Sequence, residues 1–444
     1  MNRHGGRWID HWEPDDPAFW QGTGRRVAIR NLALSILAEN LGFSVWILMS
    51  VVVTYLGQAG FRFDLTQTFW LLIVPNLVGA ALRIPYTFAV PRFGGRGFTA
   101  FSALVLLVPT GMLAVAVSDP GTPYWFFLLT AALMGLGGGN FSASMANISF
   151  FFPEGRKGVA LGINAAAGNL GVAVAQLVVP VVIHLGTGLQ LAYAALMWMP
   201  LLIVAAAASW LRMDSLTSAK PDGVSYRLAM RARQTWIMSF LYIGTFGSFI
   251  GFSFTFPLLV QQEFAGRAGF VGLAFLGPLI GSLSRPLGGW LADRLGGARV
   301  TLWTFAAMAA GVAGVLLSLR QDAFWLFFGA FVWLFVLAGL GNGATYRMIP
   351  LIFAAQERAR PGGSAGAARR QAAAAVGIVG AVGAAGGVLI NLGFTFSRQA
   401  AGSLGPALAA FLLFYAACMA ITWWYYLRTA LAAERSPSLA HAKV

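Results

Sequence analysis

Residues 83–96 read RIPYTFAVPRFGGR, and residues 285–299 read RPLGGWLADRLGGAR. In both, a second Arg follows the first by nine residues, and a Gly-Gly pair begins eleven residues after the first Arg. The two stretches are 202 residues apart, and each closes the second apolar run of a series of six. Six runs fall near 29–57, 67–90, 98–118, 124–150, 158–185 and 189–211. After a polar stretch, six more fall near 235–260, 268–291, 300–319, 323–353, 372–396 and 405–430. Self-similarity at one fixed offset marks a duplicated architecture, and six-plus-six apolar runs are the layout of two-bundle secondary transporters. The expected organisation is an N-terminal segment over 1–28, a bundle over 29–211, a linker over 212–234, a second bundle over 235–430 and a tail over 431–444.

Composition agrees with that layout. Of 444 residues, 58% are hydrophobic and only 10% are charged, against about 25% charged in ordinary soluble domains. A transmembrane helix needs ~20 apolar residues, so twelve use ~240, close to the apolar supply. Long uncharged runs must be helical, because a helix satisfies its own backbone hydrogen bonds in lipid. The expected fold is therefore all-α and membrane-integral, with twelve transmembrane helices in two pseudo-symmetric six-helix bundles. A soluble enzyme, a disordered chain and a disulfide scaffold are excluded, and the single Cys418 can form no internal disulfide.

The net charge of +15 lies in short gaps between apolar runs, which reads as topology rather than nucleic-acid binding. With both termini and every second connection on one side, that side holds 24 Lys and Arg and the other holds four, Arg62, Arg267, Arg320 and Arg398. This bias puts both termini in the cytoplasm. The first 26 residues carry Asp10, Glu13, Asp15 and Asp16, unlike a signal peptide, so the first run is expected to stay as a helix.

The charges placed deep within the runs are Glu39, Arg83 and Arg285. Burying a charge in lipid costs at least ~2.5–3.5 kcal/mol on insertion scales, so each needs a reason. Arg83 precedes Arg92 by nine residues, about 13–14 Å along a helix, which is near half the hydrocarbon thickness. Arg285 stands in the same relation to Arg294, and Glu39 lies nine residues past Arg30. All three are expected near midplane. If the halves pack face to face, two repeat-related arginines meet, and one carboxylate cannot neutralise both. Such a cavity should bind a small anion, and the planar guanidinium fork suits a planar oxyanion. The structural alternative ties the arginines to helix ends or to Glu39. Asp293 and Arg294 sit at the membrane edge, where they are expected to hold a cytoplasmic gate or the helix ends.

Several motifs carry a family resemblance. GGWLADRLGG at 288–297 resembles the loop signature of the major facilitator superfamily, and FAVPRFGGR at 88–96 is a degenerate counterpart lacking the Asp. GLGGGNFSASMANISFFFPEGRKGVALGINAAAGNLGV at 135–172 resembles the nitrate signature of NarK-type nitrate/nitrite porters, and AVGIVGAVGAAGGVLINLG at 375–393 the second such signature. LYIGTFGSFIGFS at 241–253 and DHWEPDDPAFWQ at 10–21 are similar to that family's seventh helix and N-terminal segment. The resemblance implies that Arg83 and Arg285 clamp the anion. It implies further that Asn169 hydrogen-bonds the anion and that Phe141, Tyr242 and Phe246 are the aromatics at the site. Ala165 stands where some relatives carry Gly.

The residue types make chemical sense for a nitrate-sized anion, which offers in-plane acceptor oxygens and two flat faces. Gly377, Gly380, Gly383 and Gly387 fall within ~120° on one helical stripe, and Gly158, Gly162, Gly168 and Gly171 recur on the fifth run. Small residues let membrane helices approach closely and slide. The expected function is alternating-access transport of nitrate and nitrite across a bacterial-type cytoplasmic membrane, with no cofactor or metal. Proton-coupled nitrate import is the first reading, because Glu39 is the one deep carboxylate and a candidate for proton coupling. Nitrate/nitrite exchange, or another anion carrier of this fold, is the alternative. An enzyme is not expected: His4, His11 and His441 lie in the tails and His184 near a helix end.

Overall fold

The computed structural model describes residues 3–4, 7–219, 223–362, 364–428 and 439. The tail expected over 431–444 lies outside the described residues apart from residue 439, as do residues 220–222 of the linker. The described chain is almost entirely helical. Eleven of its helices are long and apolar enough to cross a membrane, or twelve if one bent pair is a single span. Its surface is inverted relative to a soluble protein: Trp303 and Leu413 are exposed, while Ser44, Asn140, Thr304 and Asn342 are buried. Spans that carry large apolar side chains outward suit lipid in place of water, and the interior then takes polar groups that bond between helices.

The chain divides into two compact units, Met1–Pro221 with Phe270–Phe275, and Asp222–Gly269 with Leu276–Val444. Unit 1 contains α1 (Arg25–Tyr55), α2 (Leu65–Phe93), α3 (Gly95–Ala116), α4 (Tyr124–Phe151), α5 (Glu154–Val182) and α6 (Tyr193–Arg212). Unit 2 contains α7 (Arg233–Glu263), α8 (Leu276–Leu295), α9 (Gly297–Arg320), α10 (Phe324–Ala359), α11 (Ala365–Ala401) and α12 (Gly405–Leu427).

Local chemistry sets the boundaries. Asp64 caps α2 through a reciprocal capping box: its carboxylate accepts from the Gln67 N–H at 2.7 Å, and its own N–H donates to Gln67 Oε1 at 3.0 Å. Such a box satisfies two orphan donors at once. At the other end α2 stops at Gly94 (φ 78°), and α8 is followed at the repeat-related position by Gly296 (φ 88°). Both need the left-handed region that glycine enters without strain, which explains the duplicated Gly-Gly pair.

The N-terminal segment and the start of the linker have structure of their own. Strands Arg3–His4, Trp8–Ile9 and Ser215–Leu216 form a small sheet in that order, the last two parallel. The Asp214 carboxylate is fully buried beside them and is paired with Arg7, at 3.1 Å, and with Arg30. The Asp214 backbone N–H donates to Asn31 Oδ1 at 3.0 Å. Trp12 and Trp20 join Val27, Phe151 and Phe152 in an apolar cluster. The linker also contains a short helix, Gly223–Arg231.

Candidate functional site

In unit 1, Arg83 is fully buried on α2. Its guanidinium carbon lies 4.5 Å from the ring centroid of Phe141 on α4 and 6.0 Å from that of Trp46 on α1. Cation–π attraction of this kind holds a guanidinium by its face and leaves the N–H edge as the donor surface. The aromatic wall is itself fixed. Trp46 Nε1 donates to the Pro75 carbonyl at 2.7 Å, and Phe43 stacks on Phe141 at 6.2 Å.

Glu39 on α1 is also fully buried. Asn164 on α5 donates to Glu39 Oε2 at 2.9 Å and to Ser144 Oγ at 2.7 Å. A Cβ added at Gly168 would collide with the Glu39 carboxylate, and one at Gly171 with the backbone of Asn40. These glycines bring α5 hard against α1. Asn169, between them, is 1% exposed, and its Oδ1 has no hydrogen-bond partner among the described residues.

In unit 2, Arg285 is buried on α8, and its Nη2 donates to the hydroxyl of Tyr242 at 3.1 Å. Its guanidinium carbon lies 5.2 Å from the ring centroid of Tyr346 on α10. Arg285 Nη1 is buried and has no hydrogen-bond partner among the described residues. One edge of this guanidinium is thus committed to a neutral acceptor, and another retains a donor. Tyr242 stacks on Phe246 at 5.2 Å and packs on Tyr346 at 4.7 Å. Directly after Tyr242, α7 runs through a π-helical turn, Ile243–Gly247. A turn of that kind displaces the helical register and recurs at functional sites. A Cβ at Gly383 of α11 would collide with the Tyr242 ring, and one at Gly386 would lie 2.9 Å from Gly247 Cα.

The other expected residues divide. Gly380 and Gly387 are buried on α11, and a Cβ at Gly377 would meet Tyr226 Oη at 3.0 Å. Gly158 and Gly162 differ: an added Cβ would meet no atom within 4 Å, so neither mediates a close helix approach here. Asp293 pairs with Arg347 of α10, and the Arg294 guanidinium lies 4.1 Å from the Trp290 ring centroid.

Trp46, Ser144, Asn164 and Tyr346 escaped the reading from sequence. Tyr346 had a faint signal. It lies three residues, about one helical turn, beyond the repeat position of Phe141, so each buried arginine faces an aromatic from the fourth helix of its own half.

The family model of the Major Facilitator Superfamily matches residues 32–391. The nitrate/nitrite transporter NarU of Salmonella typhimurium is 43% identical, over 94% of this chain and 96% of that protein. The chain belongs to the NarK-type nitrate/nitrite porter family of the major facilitator superfamily. NarU of Escherichia coli, another member of this major facilitator branch, is 41% identical over 94% of this chain and 95% of its own length. A probable nitrate/nitrite antiporter NarK2 of Thermus thermophilus is 35% identical over 95% and 97%. Among solved structures, a bacterial homolog to the human lysosomal transporter Spinster shares the major facilitator fold. Its TM-score is 0.60 at 15% identity, covering 88% of this chain and 95% of that one.

Proposed function

We propose that this chain carries nitrate and nitrite across the bacterial cytoplasmic membrane by alternating access, with both termini in the cytoplasm, and that it works as a proton-coupled nitrate importer. One observation carries the reading: each unit buries an arginine from its second helix and lays an aromatic ring of its fourth helix against it. In this proposal Arg83 and Arg285 both donate to the anion through their planar edges. Asn169 supplies a further in-plane donor, and Phe141, Tyr242 and Phe246 cover the flat faces. An empty site holds two like charges that repel, and a bound monoanion offsets the repulsion. The loaded carrier then interconverts more easily than the empty one. The glycines at 168, 171, 383 and 386 allow the helices to rock, and Asp293 with Arg347 belongs to the cytoplasmic gate.

Glu39 supports the proton-coupled form. A buried carboxylate held by an amide N–H can change protonation as the arginine beside the anion is loaded or emptied. The second reading is nitrate/nitrite exchange, favoured by the Thermus thermophilus relative, which is named an antiporter. Reconstituted flux separates the two. Nitrate entry that follows the pH gradient without internal nitrite is the expected result. Entry that depends on internal nitrite and ignores the pH gradient assigns exchange. No nitrate flux under either condition overturns both.

A further inference from the structure

A cleft lined by two arginines lies in unit 1, away from the buried arginine. The cleft, of about 390 Å³, opens where the chain enters α1 and where α4 turns into α5, lined by Trp20, Arg25, Arg156 and Asp15, with Pro17 and Pro153 among its walls. Arg25 precedes Glu39 by fourteen residues, about 21 Å along the helix, so the cleft is distinct from the transport site. Its size is that of a small-molecule pocket.

Its chemistry is cationic. Among the described residues Arg25 and Arg156 line it with the carboxylate of Asp15, and neither arginine forms an ion pair among those residues. The Arg156 guanidinium carbon lies 5.9 Å from the Trp20 ring centroid. Trp20 is only 7% exposed, and its indole N–H has no acceptor among the described residues. The indole nitrogen is sealed from solvent, so Trp20 serves the cleft as a wall and as a ring face for Arg156 rather than as a donor. The 29-residue α5 begins at this cleft, and Pro153 at its N-cap supplies no side-chain hydrogen bond. The positive dipole end of a helix favours an anion.

The surroundings select the kind of anion. Ile29, one turn beyond Arg25, and Val159, three residues beyond Arg156, are both exposed. The two helices therefore carry apolar flanks leading away from the charged cleft, as a headgroup followed by acyl chains requires. Basic pockets at helix ends with a tryptophan at the boundary are the membrane's usual receptors for anionic headgroups.

We propose that this cleft binds the phosphodiester headgroup of an anionic phospholipid, with the Arg25 and Arg156 guanidinium groups as donors beside the start of α5. The full chain in detergent tests this by thermal unfolding and native mass spectrometry, with phosphatidylglycerol, phosphatidylcholine or inorganic phosphate added separately. Phosphatidylglycerol should stay bound and raise Tm by about 3–5 °C, while phosphatidylcholine leaves Tm unchanged. The double variant Arg25→Gln/Arg156→Gln should lose most of that rise. Should the double variant fail to fold, Arg156→Lys serves, since it keeps the charge and removes the fork; it should weaken phosphatidylglycerol binding about fivefold. Equal protection by the two lipids, or an unchanged phosphatidylglycerol effect in a folded variant, overturns the proposal. Protection by inorganic phosphate as strong as that by lipid also overturns it and assigns the cleft to a soluble anion.

Discussion

Glu39 in unit 1 and Tyr242 in unit 2 occupy matching seats, 203 residues apart. Each is the side chain that a Cβ on a glycine of its unit's fifth helix would strike, Gly168 in one case and Gly383 in the other. Three residues on, a second glycine presses on the backbone of the same partner helix, Gly171 on Asn40 and Gly386 on Gly247. The aromatics that follow keep the 203-residue spacing, Phe43 with Phe246 and Trp46 with Phe249, each as part of a packed ring series. The scaffold around the two arginines is duplicated, but the polar group in the seat is not. Unit 2 offers a phenol that accepts from Arg285 and leaves its charge intact. Unit 1 offers a carboxylate that an asparagine holds. Equivalent positions thus differ in kind: a buried arginine is kept in both halves, and a buried carboxylate is kept in one.

The sharpest way to break this pairing is to remove the fork from either half. Arg83→Lys and Arg285→Lys should each cut nitrate uptake roughly a hundredfold, the loss of about 2–3 kcal/mol of charged hydrogen bonding. Near-normal uptake by one variant would mean that only the other arginine handles the anion. Next in size, Glu39→Gln should abolish nitrate-driven proton uptake in proteoliposomes while leaving nitrate binding measurable. Proton uptake that persists would return Glu39 to a structural role and erase the functional contrast with Tyr242. Gly168→Ala and Gly383→Ala should each destabilise by about 1–3 kcal/mol through overpacking, read as a fall in Tm of the purified protein. A neutral result at one of them would show that the two close approaches are not equivalent. The smallest effect belongs to Tyr242→Phe, which keeps the stack on Phe246 and loses the acceptor for Arg285; an increase of about fivefold in the KM for nitrate is expected. A much larger rise would give the phenol direct contact with the anion.

Much of this was legible in the chain. Counting apolar residues located the spans, and the nine-residue spacing from Arg92 and Arg294 assigned Arg83 and Arg285 to the interior, where both are found buried. Hydropathy could not show where helices break, because it sums composition and is blind to hydrogen-bond pattern. The run near 98–118 is interrupted at Leu106. The run near 268–291 begins as 3-10 turns over Ala265–Leu273, bent by 40° from Leu276–Leu295. The seventh span hides its π-turn inside an unbroken apolar stretch. Within the site, Trp46 and Tyr346 were invisible for a related reason: in a chain with 14% aromatic residues, a ring against a guanidinium reads like a ring against a leucine. Asn164 was likewise one polar residue among many on helices that bury such groups.

The pairing of Trp8–Ile9 with Ser215–Leu216 has a consequence for biogenesis. The first strand leaves the ribosome about two hundred residues ahead of the one it joins, and contacts of such separation close late. Arg7 and the buried Asp214 carboxylate must wait equally long for each other. The amino terminus therefore seals the first half only after its sixth helix has been made, so that a nascent chain stalled before residue 214 would carry an unlatched end that proteases could recognise.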